Sequence, residues 1–276
     1  MAASEPHHVE RLQADDAPGG LALSAAAGWN QTLADWRLFI ARGSAFGVRD
    51  EERRLIATAA ALSYEGGTGW ISMVLVDAAH RHRGLATALM DHAVQALRSA
   101  QVAVLLDATP AGAEVYRRIG FVAGFALDRW EGEATGAGTA SAPAPADTQI
   151  VMRLDREATG LGRVDVLQNF LARPDTRCWL APEHDAFVLA RRGHRAWQIG
   201  PLMAPDEHSA VGLVQRALAG LVGRVYLDVP RSRTLFTTLL GVRGFVPQRS
   251  FVRMALDAGS PSLPERVHVL AGPEFG

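Results

Sequence analysis

Residues 70–87 read WISMVLVDAAHRHRGLAT. Trp70 to Val76 is an unbroken apolar run between Gly69 and Asp77, the pattern of a strand covered on both faces. From Leu85 the pattern changes: Leu85, Leu89, Ala93 and Leu97 recur every fourth residue, with Thr87, Asp91, Gln95 and Arg98 between them. That spacing predicts an amphipathic helix lying on a sheet. Val102 to Leu106, VAVLL, then predicts a second doubly buried strand. Strand, helix, strand over residues 70–106 is a right-handed parallel crossover.

Upstream, Phe46-Gly47-Val48 and Leu55 to Tyr64 flank the charged turn Arg49-Asp50-Glu51-Glu52, which predicts an antiparallel hairpin leading into the crossover. Ala34 to Ala41 is read as a short helix. Downstream, Ala111 to Ile119 is helical and stops at Gly120, a residue suited to a left-handed cap, and Phe121 opens another apolar stretch. The order describes an α/β layer. The second half partly repeats it: Val225-Tyr226-Leu227-Asp228-Val229-Pro230 echoes Val104 to Pro110, and each is followed by a short helix ending in Gly-Phe, at Gly120-Phe121 and Gly244-Phe245. Trp197 to Met203 precedes the helical run Ser209 to Leu221 as Trp70 to Val76 precedes its helix. Two such matches predict a duplication. Glu131 to Asp147, EGEATGAGTASAPAPAD, lacks large apolar residues and reads as the seam. The expected division is a first domain over 1–133, a linker over 134–147 and a second domain over 148–276.

Composition excludes several function classes. Of the residues 48% are hydrophobic and 21% charged, ordinary for a folded chain. All 28 basic residues are Arg, against 29 acidic ones, a balance that carries no nucleic-acid footprint. Without Lys there is no Schiff-base lysine and no lysine of a phosphate-binding GxxxxGK[ST] loop. The single Cys178 forms no internal disulfide, which fits a reducing compartment. Met1 to Asp16 has no basic region followed by an apolar run, and no uncharged apolar stretch is long enough for a membrane span. A cytoplasmic protein with no membrane partner is expected.

Arg81-His82-Arg83-Gly84-Leu85-Ala86 fits the pattern R/Q-x-x-G-x-G/A directly after a buried strand and at the first turn of a helix. Unpaired N–H groups and the positive helix end bind anions there. Gly84 and Ala86 leave room for a phosphate, and Arg81 and Arg83 add charge, so a pyrophosphate is the natural occupant. In the second half the corresponding residues, Pro205-Asp206-Glu207-His208-Ser209-Ala210, are acidic, so that half is read as lacking the ligand site. Tyr116, one of three tyrosines, lies on the helix after the second buried strand. His80 and His82 flank the turn without a third metal ligand, and no metal is expected.

With these pieces in order, the sequence resembles the GNAT superfamily of acetyl-CoA-dependent N-acyltransferases over about Leu21 to Trp130. More narrowly, Gly28-Trp29-Asn30, Asp35-Trp36, Leu106 to Gly112 and Gly272-Pro273-Glu274-Phe275-Gly276 resemble the YitH-type subfamily, in which a GNAT domain is joined to a degenerate GNAT-like domain. Asp155, Gly160 and Arg163 extend the likeness into the second half. The resemblance implies an α/β fold of the GNAT kind, two tandem domains each with a mixed central sheet flanked by helices. It implies acetyl-CoA as co-substrate, with its pantetheine arm on the backbone of Val74, Leu75 and Val76 beside a bulge. Its pyrophosphate would lie on Arg81, His82, Arg83, Gly84, Leu85, Ala86 and Thr87. The acetyl carbonyl is then polarised by a backbone N–H near Met73 or Val74, and Tyr116 contacts the cofactor and protonates the leaving thiolate.

Two positions depart from the family pattern. Thr109 stands where many members carry a cofactor-contacting Asn, and Val102 to Leu106 lacks the Glu that often serves as base. The base is therefore unassigned. Asp107 is the nearest carboxylate, at a strand end where it also suits tying down a loop. Trp29, Asn30 and Trp36 lie where the acceptor site is often bordered, either lining an amine pocket or serving as core and cap residues. The expected activity is acetyl transfer to a small-molecule primary amine by a monomer or homodimer. The alternatives are an acetyltransferase for peptide or protein N-termini, or a non-catalytic acetyl-CoA sensor.

Overall fold

The computed structural model describes residues 7–136 and 147–276. The first half runs β1 (Glu10–Arg11), α1 (Ala17–Ala26), α2 (Leu33–Arg42), β2 (Ser44–Arg49), β3 (Leu55–Tyr64), β4 (Thr68–Val76), α3 (Leu85–Ser99), β5 (Ala103–Ala108), α4 (Pro110–Arg118) and β6 (Val122–Thr135). The second runs α5 (Thr148–Thr159), α6 (Val164–Leu171), β7 (Arg177–Leu180), β8 (Phe187–Arg192), β9 (Trp197–Met203), α7 (Glu207–Ala219), β10 (Val222–Pro230), α8 (Thr234–Val242), β11 (Val246–Leu256) and β12 (Val267–Val269).

Local chemistry accounts for the elements around the site. α3 buries Leu85, Leu89, Met90, Ala93, Val94 and Leu97, the stripe its sequence period predicts. Thr32 caps α2, its hydroxyl accepting from Asp35 N while the Asp35 carboxylate accepts from Thr32 N at 2.7 Å, a reciprocal capping box. Thr109 caps α4, with Pro110 in the first helical position where its missing N–H costs nothing. α1, with the sequence APGGLALSAA, has no apolar stripe to read. Its small residues admit the ring of Trp36, which lies where a Cβ on Gly20 would stand, 2.4 Å away.

The strands form one twelve-stranded sheet in the order β1-β2-β3-β4-β5-β11-β6-β10-β9-β8-β7, with β12 added on β9. The halves have therefore exchanged their last strands. β11 of the second half pairs with β5, and β6 of the first pairs with β10. Where β6 and β11 meet, the pairing is symmetric about Phe251 and Leu127, with Ser250 opposite Asp128 on one side and Val252 opposite Ala126 on the other. The seam is correspondingly shorter than its composition suggests: β6 continues through Glu131 to Thr135 along β10, so the expected boundary at 133/134 falls inside a strand. At the far end Asp147 caps α5. Residues 137–146 of the expected linker lie outside the described residues.

After β12 the chain returns to the first half. Phe275 stacks on Phe39 with centroids 5.1 Å apart and meets Phe170 edge-on at 5.0 Å. Tyr64 Oη donates to Phe275 O at 3.0 Å and Trp70 Nε1 to Pro273 O at 2.9 Å. Arg163, clamped by both oxygens of Asp155 at 3.0 and 2.7 Å, also donates to Phe275 O. Cys178 is buried in β7, and burial pushes its thiol up to about 12, an inert group. Among the described residues no helix is long and apolar enough to cross a membrane.

Candidate active site

β4 and β5 pair in parallel only at Thr68, Gly69 and Trp70, opposite Ala103, Val104 and Leu105. Beyond Trp70 they part. β5 continues against β11 on its other side, and β4 stays on β3. The cause is a bulge: the β3–β4 register slips between Thr58/Leu75 and Ala60/Ser72, and Met73 sits at φ 54°. Such a backbone strains a residue with a Cβ, and Thr58 Oγ1 holds it by donating to Met73 O at 2.9 Å. From Ile71 onward the edge of β4 that would face β5 has no strand partner among the described residues, and buried backbone groups rarely stay unpaired without a use.

The wedge opens into a cavity of about 120 Å³ lined by Ile71, Ser72, Met73 and Val74 of β4, Leu106 to Thr109 of β5 and its turn, and Tyr116 of α4. Trp29, Gln31, Arg129, Arg249, Phe251, Pro273 and Glu274 close it from the other side. Burial pushes the Tyr116 phenol up to about 12, so it carries its proton at neutral pH. Thr109 Oγ1 accepts from Gly112 N at 3.3 Å, which leaves its own hydrogen free to donate. Among the described residues Ser72 Oγ and Gln31 Oε1 are buried without a hydrogen-bond partner.

Two ion pairs stand at the cavity wall. Arg253 meets Asp107 with both bonds at 2.9 Å, and Arg129 meets Asp228 at 2.9 and 2.8 Å. They are strand-exchange pairs, each joining residues directly opposite across β5–β11 and β10–β6. Burial raises the Asp107 carboxyl while Arg253 pulls it back. Both its oxygens are taken by Arg253 of β11, so it ties two strands, where the sequence suggests a loop, and is not a free base.

Beyond β4 the chain passes through the short turn Ala78–His80 to Gly84, which starts α3 in the left-handed region at φ 79° with no side-chain cap. The first-turn amides of Leu85, Ala86 and Thr87 thus have no intrahelical partner. Arg81, His82, Arg83, Gly84 and Thr87 are exposed, Ala86 is half-buried and Leu85 is buried. His7 meets Arg83 O from the side.

Of the residues expected at the site, Val74, Thr109, Tyr116, Trp29 and Asp107 line the cavity, and Leu75 and Val76 continue the parted strand on Thr58 and Ala57 of β3. Two are elsewhere. Asn30 is a clasp: its Oδ1 accepts from Arg195 N and Ala196 N at 2.9 and 3.0 Å and its Nδ2 donates to Ala196 O at 3.2 Å. Both polar atoms of its amide are thus engaged with residues 195–196, and the residue is buried. Trp36 is fully buried and donates to Ser24 Oγ at 3.0 Å, so it is a core residue. The sequence reading missed Gln31, Ser72, Arg129, Arg249 and Phe251 as site residues, because strand exchange and the bulge bring them in from separate segments. Glu274 lay in a motif already quoted, without a role.

A family profile described as Acetyltransferase (GNAT) family matches residues 11–121, and one described as Acetyltransferase (GNAT) domain matches residues 151–270. The chain belongs to the GNAT superfamily and carries two GNAT domains in tandem. Solved structures agree in fold. A candidate acetyltransferase from Pyrococcus horikoshii has a TM-score of 0.81 at 18% identity, with 100% of this chain and 98% of that one covered. A tandem GNAT protein from the clavulanic acid biosynthesis pathway has 0.65 at 16%, covering 92% and 99%. A GCN5-related N-acetyltransferase from Sphaerobacter thermophilus has 0.64 at 15%, covering 93% and 99%. No protein of curated function matches the chain.

The GNAT superfamily binds acetyl-CoA, and the first domain has the features that fit it: an unpartnered β4 edge, an orphaned Ser72 hydroxyl and an uncapped helix start. The second GNAT domain repeats the framework and closes each feature. Its parallel strands β9 and β10 also pair at only three positions, Trp197 to Ile199 opposite Val225 to Leu227. β12 then runs along β9 at Leu202 and Met203, and Leu270 N donates to Asp228 O of β10 at 2.9 Å. Gly200, at φ 132°, allows this approach, since a Cβ there would stand 2.0 Å from Leu270 O. Asp206 caps α7 by accepting from Ser209 N at 2.8 Å. Leu240, fully buried, occupies the place of Tyr116, four residues before Gly244 as Tyr116 is before Gly120.

Proposed function

We propose that the chain transfers an acetyl group from acetyl-CoA to the primary amine of a small molecule held between β4, β5 and Glu274, by direct attack with Tyr116 as general acid. The observation that carries this reading is the parting of β4 from β5 beyond Trp70, which leaves a strand edge facing the cavity that Tyr116 lines. Acetyl-CoA supplies an acyl group activated as a thioester. Val74, Leu75 and Val76 would hold its pantetheine arm, and the amides of Leu85, Ala86 and Thr87 with Arg81, His82, Arg83 and Gly84 its pyrophosphate.

The phenol of Tyr116 holds its proton until negative charge develops on the leaving sulfur, and gives it up from Oη at that point. A donor held at about 12 keeps that proton throughout the physiological range. Thr109 takes the neighbouring donor role. The acceptor side of the cavity is walled by Trp29, Phe251, Pro273 and Glu274, which supports a small acceptor over a peptide terminus. A sensor would bind without turnover, and thiol release separates it from an enzyme. Tyr116→Phe is expected to lower kcat about 100-fold, within the range for a proton donor, with CoA affinity kept. Unchanged turnover would remove Tyr116 from the reaction, and absent turnover with intact CoA binding in the unmodified chain would favour the sensor.

A further inference from the structure

The cavity holds one carboxylate, Glu274, and one guanidinium, Arg249, that have no ion-pair partner among the described residues. Glu274 is 9% exposed, and among the described residues it has no hydrogen bond or ion pair. Its carboxylate folds back over Gly272, where a Cβ would stand 2.9 Å from Oε2, so glycine is what lets the acid sit there. Burial raises its carboxyl, with Asp228 and Asp35 adding to the rise and Arg129 and Arg191 opposing it. A buried acid of this kind without a partner is costly and suits a group that receives charge or a proton. Gln31 lines the same cavity, and its Oε1 is also buried and without a partner among the described residues.

Arg249 lies on β11 at a register slip, opposite Arg129. Arg129 is held by Asp228, but Arg249 has no carboxylate within ion-pair distance among the described residues, Glu274 included. Burial and the like charge of Arg129 lower its guanidinium. A half-buried arginine facing a cavity with no counter-ion of its own is suited to a planar anion.

Resting on the acetyl-transfer reading, we propose that the acceptor is a small amino acid, its ammonium received by Glu274 and Gln31 and its carboxylate by Arg249. Glu274 then acts as the base. It takes one proton from the ammonium, and the freed nitrogen bonds to the acetyl carbon. The C–S bond breaks with its electron pair on sulfur, and Tyr116 Oη protonates that sulfur. The second nitrogen proton restores the phenol, so the net yield is one amide, one thiol and one proton to solvent. The base of a site in the first domain is thus supplied by the segment that follows the second.

The test sets amino acids beside their decarboxylated amines, reading calorimetric binding to the CoA-bound protein separately from thiol release with acetyl-CoA. At least one amino acid is expected to bind at least tenfold more tightly than its decarboxylated partner. Arg249→Gln should erase that difference by weakening the amino acid alone, and Arg249→Lys should restore part of it. Glu274→Gln should leave CoA binding intact, lower kcat at least tenfold and flatten the acidic limb of the pH profile. Amino-acid binding without thiol release would defeat the acetyl-transfer reading while keeping the acceptor class. Equal binding of decarboxylated amines, equal weakening of both by Arg249→Gln, or no binding across the panel would overturn the acceptor class.

Discussion

The two domains share one device, a parallel strand pair that parts after three residues, and differ in what fills the gap. In the first domain the wedge between β4 and β5 is open, and the helix beyond it starts at Gly84 with free amides. In the second, β12 lies in the wedge, and a carboxylate of the chain itself, Asp206, answers the amides of α7. On the proposed reading the first domain takes a ligand with an extended polar arm and an anion, where the second pairs the corresponding groups within the chain. Duplication followed by self-filling explains how one copy can be structural while the other stays competent.

The strongest way to break this contrast is at the phosphate turn. The unmodified chain is expected to bind one CoA, and Gly84→Glu none, a loss of more than 100-fold read by titration calorimetry. The left-handed φ of 79° at Gly84 costs any side chain about 1–2 kcal/mol, so Gly84→Ala is the control for strain alone. It should weaken binding far less than Glu. Two equivalent CoA sites per chain would contradict the plugged second wedge, and equal effects of Ala and Glu would contradict the pyrophosphate assignment.

The shared framework is tested next, through the exchange pairs. Asp228→Asn leaves Arg129 buried without a counter-charge, and removing one partner of such a pair costs about 3–5 kcal/mol. Asp228 also accepts from Gln198 Nε2 at 2.9 Å, so its loss should fall at the upper end. Asp107→Asn is expected to cost less, because among the described residues Asp107 accepts from Arg253 alone, and that guanidinium keeps its places over the Trp70 and Phe125 rings at 4.5 and 5.0 Å. Urea melts of both variants decide the ranking. If Asp107→Asn removed turnover while leaving stability intact, Asp107 and not Glu274 would be the base.

How much of this is visible without coordinates follows from the range of the interactions. The strand, the Gly84 turn, α3 and Tyr116 are written locally, in apolar runs, a fourfold period and a glycine, and each is where its residues predict. The α2 cap is equally local in Thr32 and Asp35. The strand exchange is not, because β6 and β11 are strands of mixed polar and apolar residues whose partners are chosen by tertiary packing. The Asp107–Arg253 pair spans the two halves and leaves no spacing signal. For Asn30 and Trp36 the sequence leaves pocket lining and core packing both open, and burial against residues 193–196 and Gly20 decides for packing. Glu274 is the same case reversed, a distant acid that the returning segment carries into the cavity.

The smallest effect is expected from the plug itself. His268 sits on β12 with its Nε2 donating to Ala204 O, 3.2 Å away. Burial, with Arg233 adding to it, lowers its pKa to about 4 from the ordinary 6.5. The folded chain therefore holds this imidazole neutral at pH values where the unfolded chain protonates it, and between those two values the unfolded state binds more protons. Its stability contribution is full above pH 6.5 and is lost as the pH falls toward 4. Between pH 7 and 5 the melting temperature should drop by a few degrees more in the unmodified chain than in His268→Gln. CoA binding by the first domain should be unaffected over the same interval, since the plug and the open wedge lie on different strand pairs. An identical acid sensitivity in both proteins would mean that the imidazole is solvated, and that β12 fills the second wedge less tightly than its burial indicates.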